Sequence, residues 1–288
     1  PLRRNNVASG AGGHDLRVEC NRVPGGLRAS MKAIILAAGQ GTRLRPFTDE
    51  RPKALVKLSG KTLLDRARES LAQAGITDLT VVAGYRAELI KRARYRVVVN
   101  PRFATSNMVV SLMTARHILD GAEDVLVCYG DIVFEPRVVQ ALVRSDAPFP
   151  LAINLEWQKL WSLRMEDPLQ DAETLRLDTS GAIVEIGKRP RSLVEIQGQY
   201  MGLFKIGRSV QPRVVRLYDE MPRDVLYEGR SFADMFMTTF LQYLIDNQVR
   251  IQAVPVEGGW LEVDSVKDLR RYEGMISKGS LDSYCRLA

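Results

Sequence analysis

The sequence predicts an α/β protein built on a mostly parallel sheet with helices on both faces. Three observations predict it. Short, continuously apolar runs such as KAIILA (Lys32–Ala37) and DVLVC (Asp124–Cys128) read as strands buried on both sides. Stretches of helical spacing stand between them, and separations of about 10–15 residues suit βαβ crossovers. The composition, 45% hydrophobic and 26% charged over 288 residues, is that of a globular chain and excludes disorder, collagen and coiled coil. No apolar run approaches the ~20 residues of a membrane helix, so no membrane partner is expected.

The elements follow in order. Residues 1–30 are rich in Gly and Arg and lack both apolar periodicity and the apolar core of a secretory signal. They are read as an unstructured leader or a remnant of expression, with Met31 as the expected start. The rest, 31–288, is read as a single domain. Lys32–Ala37 is the first strand. Leu63–Ala74 has helical spacing and stops at Gly75. Asp78–Ala83 is the second strand, Ala87–Ala93 a short helix and Tyr95–Val99 the third strand. Asn107–Leu119 is helical, Asp124–Cys128 the fourth strand and Pro150–Leu155 a fifth. Leu175–Leu177, Ile183–Ile186 and Tyr200–Ile206 look like short antiparallel or mixed strands inside an acceptor-binding insertion at about 156–230. A long helix over about Phe232–Asn247, a strand at Arg250–Val256 and a helix at Val266–Met275 complete the chain.

The formal charge is +7, but residues 1–30 hold five Arg against only Asp15 and Glu19. The mild excess left for the rest suits an anionic small substrate better than a nucleic-acid groove. The three cysteines are few and widely spaced, with neither a metal nor a redox pattern.

The chemistry concentrates where the first strand ends, in Leu36-Ala37-Ala38-Gly39-Gln40-Gly41-Thr42-Arg43-Leu44-Arg45-Pro46, followed by Arg51-Pro52-Lys53-Ala54-Leu55. Gly39 and Gly41 allow a tight turn and close approach of backbone to a ligand. Consecutive loop N–H groups can cradle phosphate oxygens, and Arg43, Arg45 and Lys53 add positive charge. A simple tight turn would also use these glycines. The spacing is neither Walker A nor the dinucleotide fingerprint.

This segment resembles the signature of the nucleotidyltransferases that make nucleoside-diphosphate sugars and related CDP compounds. Tyr129-Gly130-Asp131 and Trp260-Leu261-Glu262-Val263-Asp264-Ser265 extend the resemblance to about residue 273. Four features resemble the phosphocholine and phosphonate cytidylyltransferase branch. These are the short chain without a C-terminal β-helix, Val82-Ala83-Gly84-Tyr85, Ser106-Asn107-Met108-Val109-Val110-Ser111-Leu112, and Gly198-Gln199-Tyr200-Met201-Gly202-Leu203. The resemblance implies a Rossmann-like, three-layer α/β/α fold of GT-A-like type. It also implies CTP as donor, a small phosphate or phosphonate acceptor, Mg²⁺ as cofactor, a cytoplasmic location and, as one option, a homodimer.

Roles carried over by resemblance are as follows. Asp131 and Asp264 are the Mg²⁺ candidates, although Asp264 could instead cap the last helix. Glu262 could join them or face solvent. Arg43 is expected on the β- and γ-phosphates, and Lys53 on the α-phosphate or the acceptor phosphate. Leu36, Ala38, Gly39 and Gln40 would hold base and ribose, Gly41 and Thr42 belong to the same nucleotide-binding loop, and Gly84 and Tyr85 would close over the base; Tyr85 as plain packing is the alternative. Asn107 and Ser111, four apart, share a helix face that borders the nucleotide, unless Ser106 or Asn107 serves only as a cap. Lys188 matches a lysine that meets the acceptor phosphate, with surface exposure as the alternative.

Trp157, Trp260, Tyr200, Asp171 and Glu173 are acceptor candidates, since aromatics with acids can cage a cation. Trp157 and Trp161 are also what a packed helix face gives. No Ser-His-Asp or Cys-His set is present, so positioning and charge neutralisation are the expected means of catalysis. A sugar-1-phosphate nucleotidyltransferase using UTP, TTP or GTP is the alternative activity.

Overall fold

A computed structural model describes residues 30–93 and 95–287. The reading of residues 1–30 as a leader falls, apart from Ser30, outside them.

In chain order the strands are β1 (Met31–Ala37), β2 (Lys57–Leu58), β3 (Lys61–Thr62), β4 (Asp78–Ala83), β5 (Arg96–Val99), β6 (Asp124–Tyr129), β7 (Ile132–Phe134) and β8 (Pro150–Asn154), then β9 (Leu175–Leu177), β10 (Ile183–Ile186), β11 (Gln199–Ile206), β12 (Gln252–Val256) and β13 (Trp260–Glu262). The helices are α1 (Leu63–Gln73), α2 (Ala87–Arg92), α3 (Met108–Thr114), α4 (Pro136–Arg144), α5 (Trp157–Arg164), α6 (Gln211–Glu220), α7 (Met237–Asp246) and α8 (Val266–Ser277).

Seven strands form one sheet in the order β12-β8-β11-β6-β1-β4-β5. Every neighbouring pair is parallel except those made by β11, which runs antiparallel to both β6 and β8. Alternation along β1 sends Ala33, Ile35 and Ala37 into one core, with residues of α1, α4, α5 and α8. Ile34 and Leu36 enter the opposite core, with α3, α6 and α7. This accounts for an unbroken apolar β1: each face has its own helix layer, and the architecture has three layers, as expected.

Two expectations change. The helix expected over about Phe232–Asn247 begins only at Met237, after a single turn at Phe232–Asp234 and extended backbone at Met235 and Phe236. The cause is tertiary. The Asn107 backbone N–H donates to the Ala233 carbonyl at 2.9 Å, and Met235 is fully buried, so the ladder cannot propagate through them. The insertion read at 156–230 is smaller than expected. The β9–β10 ribbon is a separate two-stranded sheet tied to the β12 edge by bonds such as Ile183 N–H to the Ile251 carbonyl at 2.9 Å, whereas β11 lies inside the main sheet. Three helices went unassigned in the sequence: α4, α5 and α6.

Glycine packing yields a contrast within one fold. A Cβ on Gly84 would stand 2.3 Å from Phe103 Cβ and 2.7 Å from the Ala38 carbonyl, whereas one on Gly274, inside α8, meets nothing within 4 Å. Gly84→Ala is expected to lose about 2 kcal/mol or more through overpacking. Gly274→Ala is expected to gain roughly 0.5–1 kcal/mol from helix propensity. Thermal melting of the two variants beside the parent checks both signs.

Candidate active site

β1, β4 and β6 end together at the carboxyl edge of the sheet, where the strand order runs outward from β1 in both directions; open α/β sheets bind ligands at such a point. The loop leaving β1 is anchored there. Leu44 is fully buried, and the buried Thr48 hydroxyl donates to the Gly41 carbonyl at 2.8 Å. Gly41 has φ 74°, and a Cβ there would lie 2.7 Å from Lys53 Cβ. Glycine therefore makes room for the Lys53 side chain as well as the turn.

The two aspartates meet because β7 and β13 pair as an antiparallel ribbon, continued by a bond from Val263 N–H to the Asp131 carbonyl at 3.0 Å. Lys53 Nζ lies 2.8 Å from Asp131 Oδ2 and 2.7 Å from Asp264 Oδ1. The Arg43 guanidinium pairs with the other oxygen of Asp264. Burial works against the charge on Lys53, but Asp131, Asp264 and Glu262 outweigh it and hold its pKa above the ordinary lysine value. Asp264 is not the cap of α8. Ser265 fills that role in a reciprocal capping box with Asp268, leaving the Asp264 carboxylate for the cleft.

The pair suits a hard divalent cation. Asp131 Oδ1 is buried with no hydrogen-bond partner. Among the described residues no group of three or more His, Cys, Asp or Glu forms a protein-only cage. A cation on these two carboxylates would keep water and phosphate oxygens as its remaining ligands, as Mg²⁺ does.

Two clefts flank this cluster. The smaller, about 120 Å³, is bounded by Leu36, Ala38 and Gly39 from the β1 loop and by Asn107 and Ser111, with Lys53 and Asp131 in its wall. The larger, about 240 Å³, is bounded by Asp171, Glu173, Tyr200, Trp161, Trp260 and Glu262, with Arg43 and Asp264. Met108 and Tyr129 line both.

Several expected residues take other places. Gln40 and Thr42 continue the loop, Thr42 exposed, without lining either cleft. Gly84 is a packing residue, and Tyr85 ties two loops together: its N–H donates to the Ala38 carbonyl at 3.0 Å and its hydroxyl to the Asp49 carbonyl at 2.5 Å. Asn107 does cap α3, accepting from Met108 N–H at 2.8 Å, while also lining the smaller cleft. Trp157 stands behind the larger cleft, edge-on to Trp161 at 6.2 Å, and Trp161 is the residue stacked on Trp260, at 6.0 Å and 12°. Lys188 is half exposed, pairs with Glu185 at 2.9 Å and lines neither cleft.

Phe103, Phe236 and Thr238 line the clefts without having been singled out in the sequence. The last two lie at the break that a continuous helix pattern conceals. Burial pushes the Glu173 carboxyl up to about 7, with Asp171 and Glu262 adding to the rise against a bond from the Thr238 hydroxyl. Burial raises Glu262 as well, opposed chiefly by Arg164, which donates to it at 2.8 Å.

Comparison with known proteins gives the family. Residues 33–159 match the model of the MobA-like NTP transferase domain. The chain is 37% identical over 248 residues to a CTP:phosphoglutamine cytidylyltransferase of Campylobacter jejuni, covering 83% of this chain and 98% of the relative. It belongs to the nucleotidyltransferase superfamily. Within it, the chain is also 43% identical over 255 residues to a choline-phosphate cytidylyltransferase of Streptococcus pneumoniae, covering 85% and 98%. This nucleotidyltransferase shares its fold with the inositol-1-phosphate CTP transferase of T. maritima, with a TM-score of 0.66 and 22% identity over 90% of this chain and 98% of that one. The protein is thus an enzyme of the cytidylyltransferase branch. No helix among its described residues is long and apolar enough to cross a membrane.

The raised Glu173 gives a pH signature. Its carboxyl moves from 4.5 to about 7 on folding, so between those values the native nucleotidyltransferase binds more protons than the unfolded chain. Stability contributed by this group is present below pH 4.5 and lost as pH rises through 7. Glu173→Gln is expected to flatten that decline, seen as a smaller fall in melting temperature from pH 5 to pH 8 than in the parent.

Proposed function

We propose that the protein transfers CMP from CTP to a small phosphate or phosphonate acceptor and releases pyrophosphate. One observation carries this reading: two clefts of different character meet at the Lys53–Asp131–Asp264 cluster. The smaller, walled by loop backbone and α3, takes the nucleotide. The larger, aromatic and acidic, takes the acceptor.

An acceptor oxygen, already anionic at neutral pH, attacks the α-phosphorus in line. The α–β bridging P–O bond breaks, its electrons leave with pyrophosphate, and configuration at phosphorus inverts. No general base is required, and the described residues of the clefts offer no Ser-His or Cys-His pair. The Lys53 ammonium, fixed between the clefts, neutralises charge at the α-phosphate. Arg43, at the exposed end of the cluster, can leave Asp264 for the departing phosphates. Asp131 and Asp264 would hold Mg²⁺, which supplies Lewis-acid neutralisation of phosphate charge.

The acceptor's far end would meet the Trp161–Trp260 stack, Asp171 and Glu173. Aromatic faces with carboxylates favour a cationic group or an N–H donor there. That chemistry accords with the phosphocholine and phosphoglutamine named for the two relatives, and with an aminoalkylphosphonate. Lys188 enters this scheme only by resemblance, as an acceptor-phosphate contact; in this structure its ammonium pairs with Glu185.

The test is pyrophosphate release with Mg²⁺, crossing CTP, UTP, TTP and GTP against phosphocholine, phosphoglutamine, 2-aminoethylphosphonate, 2-hydroxyethylphosphonate, phosphonoformate and glucose 1-phosphate. Turnover with CTP and a non-sugar acceptor is expected; turnover only with UTP, TTP or GTP and the sugar phosphate would replace this reading with the sugar-nucleotide one. With the productive pair, Lys53→Met is expected to lower kcat by about 10²–10³, the scale of removing one preorganised charge donor. Asp131→Asn is expected to abolish turnover while circular dichroism stays that of the parent.

A further inference from the structure

The motif Gly198-Gln199-Tyr200-Met201-Gly202 spans the start of β11, and its glycines and Tyr200 have evident structural reasons. Gly202, at φ 70°, would place a Cβ 2.7 Å from the Tyr129 ring, and a Cβ on Gly198 would come within 3.0 Å of Ile153. Tyr129 and Tyr200 pack edge to face at 5.7 Å. Gln199 is different: it is a polar side chain, 4% exposed, in the wall of the larger cleft.

Its carboxamide binds both backbone groups of one residue in a distant segment, besides a longer bond of 3.2 Å from its Nε2 to the neighbouring Gly198 carbonyl. The Gln199 Oε1 accepts from the Glu173 N–H at 3.1 Å, and its Nε2 donates to the Glu173 carbonyl at 2.5 Å. Glu173 lies outside regular structure, just before β9, so no ladder fixes its backbone. Its side chain is steadied by a 3.3 Å bond from the Thr238 hydroxyl. The adjacent Thr174 N–H donates to the Lys188 carbonyl at 2.8 Å. A buried donor–acceptor clamp on both sides of one residue restricts its backbone more than a single bond does, and a buried carboxamide left unpaired would be costly.

We infer that Gln199 is the positioning residue of the larger cleft, gripping the Glu173 backbone and so setting where the Glu173 carboxylate meets the acceptor. This rests on the larger cleft being the acceptor's. Gln199 acts through Glu173, not by contact with the acceptor itself, and its effect is confined to the acceptor side.

The experiment compares Gln199→Met, Gln199→Glu, Glu173→Gln and the double variant Glu173→Gln/Gln199→Met with the parent in steady-state kinetics. Hydrogen exchange of residues 171–175 is followed in the same proteins. Loss of the clamp is expected to raise KM for the acceptor about tenfold or more, the scale of one or two net hydrogen bonds. KM for CTP should stay within about twofold, and exchange at 171–175 should quicken. Gln199→Glu keeps the acceptor for the Glu173 N–H but turns a carboxylate oxygen towards the Glu173 and Gly198 carbonyls, so its effect should equal or exceed that of Gln199→Met; it is a second, isosteric removal of the donor if the Met variant does not fold.

The double variant should match Glu173→Gln alone, because one residue works through the other. Additive effects, equal rises in both KM values, or unchanged exchange at 171–175 would each overturn the inference. Absence of CTP-dependent turnover in the parent would instead defeat the functional reading, and the exchange measurement alone would then decide the role of Gln199.

Discussion

A lysine ammonium held between two aspartates is the interaction on which the site depends. Asp131 and Asp264 lie 133 positions apart in the chain yet must face each other, and two bare carboxylates at that separation repel strongly in a partly buried setting. Lys53 offsets that repulsion with bonds of 2.8 and 2.7 Å, and Arg43 takes the remaining side of Asp264. The surrounding fold serves this arrangement. The β7–β13 ribbon sets the two aspartate backbones side by side, Ser265 takes the capping duty that would otherwise fall to Asp264, and Gly41 clears the path for the lysine stem.

The cluster also divides two chemistries. On one side lies a narrow cleft of small and apolar side chains with a few polar groups such as Asn107 and Ser111; on the other lies a wider one of aromatic rings and acids. Met108 and Tyr129 are common to both walls, so reactants in the two would be separated by little more than those side chains. The acidic wall has its own support. Arg164 on α5 donates to Glu262 and reaches Asp268 at 3.2 Å, and Asp268 belongs to the α8 capping box. One buried guanidinium therefore ties the acidic wall of the larger cleft to the segment that carries Asp264.

Much of this was legible in the sequence, for identifiable reasons. The parallel core strands could be read because both faces of β1, β4 and β6 are buried, which leaves uninterrupted apolar runs. Asp131 could be placed at this edge because it follows such a run, and Asp264 because its segment matches a recognisable motif. Residues whose place depends on long-range contacts were harder. Nothing local says that Trp161 rather than Trp157 lines the cleft: the two differ by one helical turn, and the Trp260 stack that distinguishes them arrives from β13. The break before α7 is invisible because Met235 and Phe236 fit a helical pattern; the competing partner, Asn107, is more than a hundred residues away. Lys188 is the opposite case: a motif match at the end of β10 suggests a site contact, and in this structure the side chain pairs with Glu185.

The length of the signature at the end of β1 also has a physical explanation. A loop that merely cradled phosphate would need its glycines and little else. Here the parts of the motif touch one another: Gly41 is small because Lys53 packs against it, its carbonyl is held by Thr48, Leu44 roots the turn in the core, and Arg43 and Lys53 converge on the same aspartate. Changing any one of these alters the setting of the others, so the segment from Gly39 to Lys53 behaves as one unit rather than a row of separate contacts. Such mutual dependence is why a long match of this kind identifies a family where an isolated glycine-rich turn does not, and why Lys53 is placed by packing and ion pairs, and Arg43 by its ion pair, before any phosphate arrives.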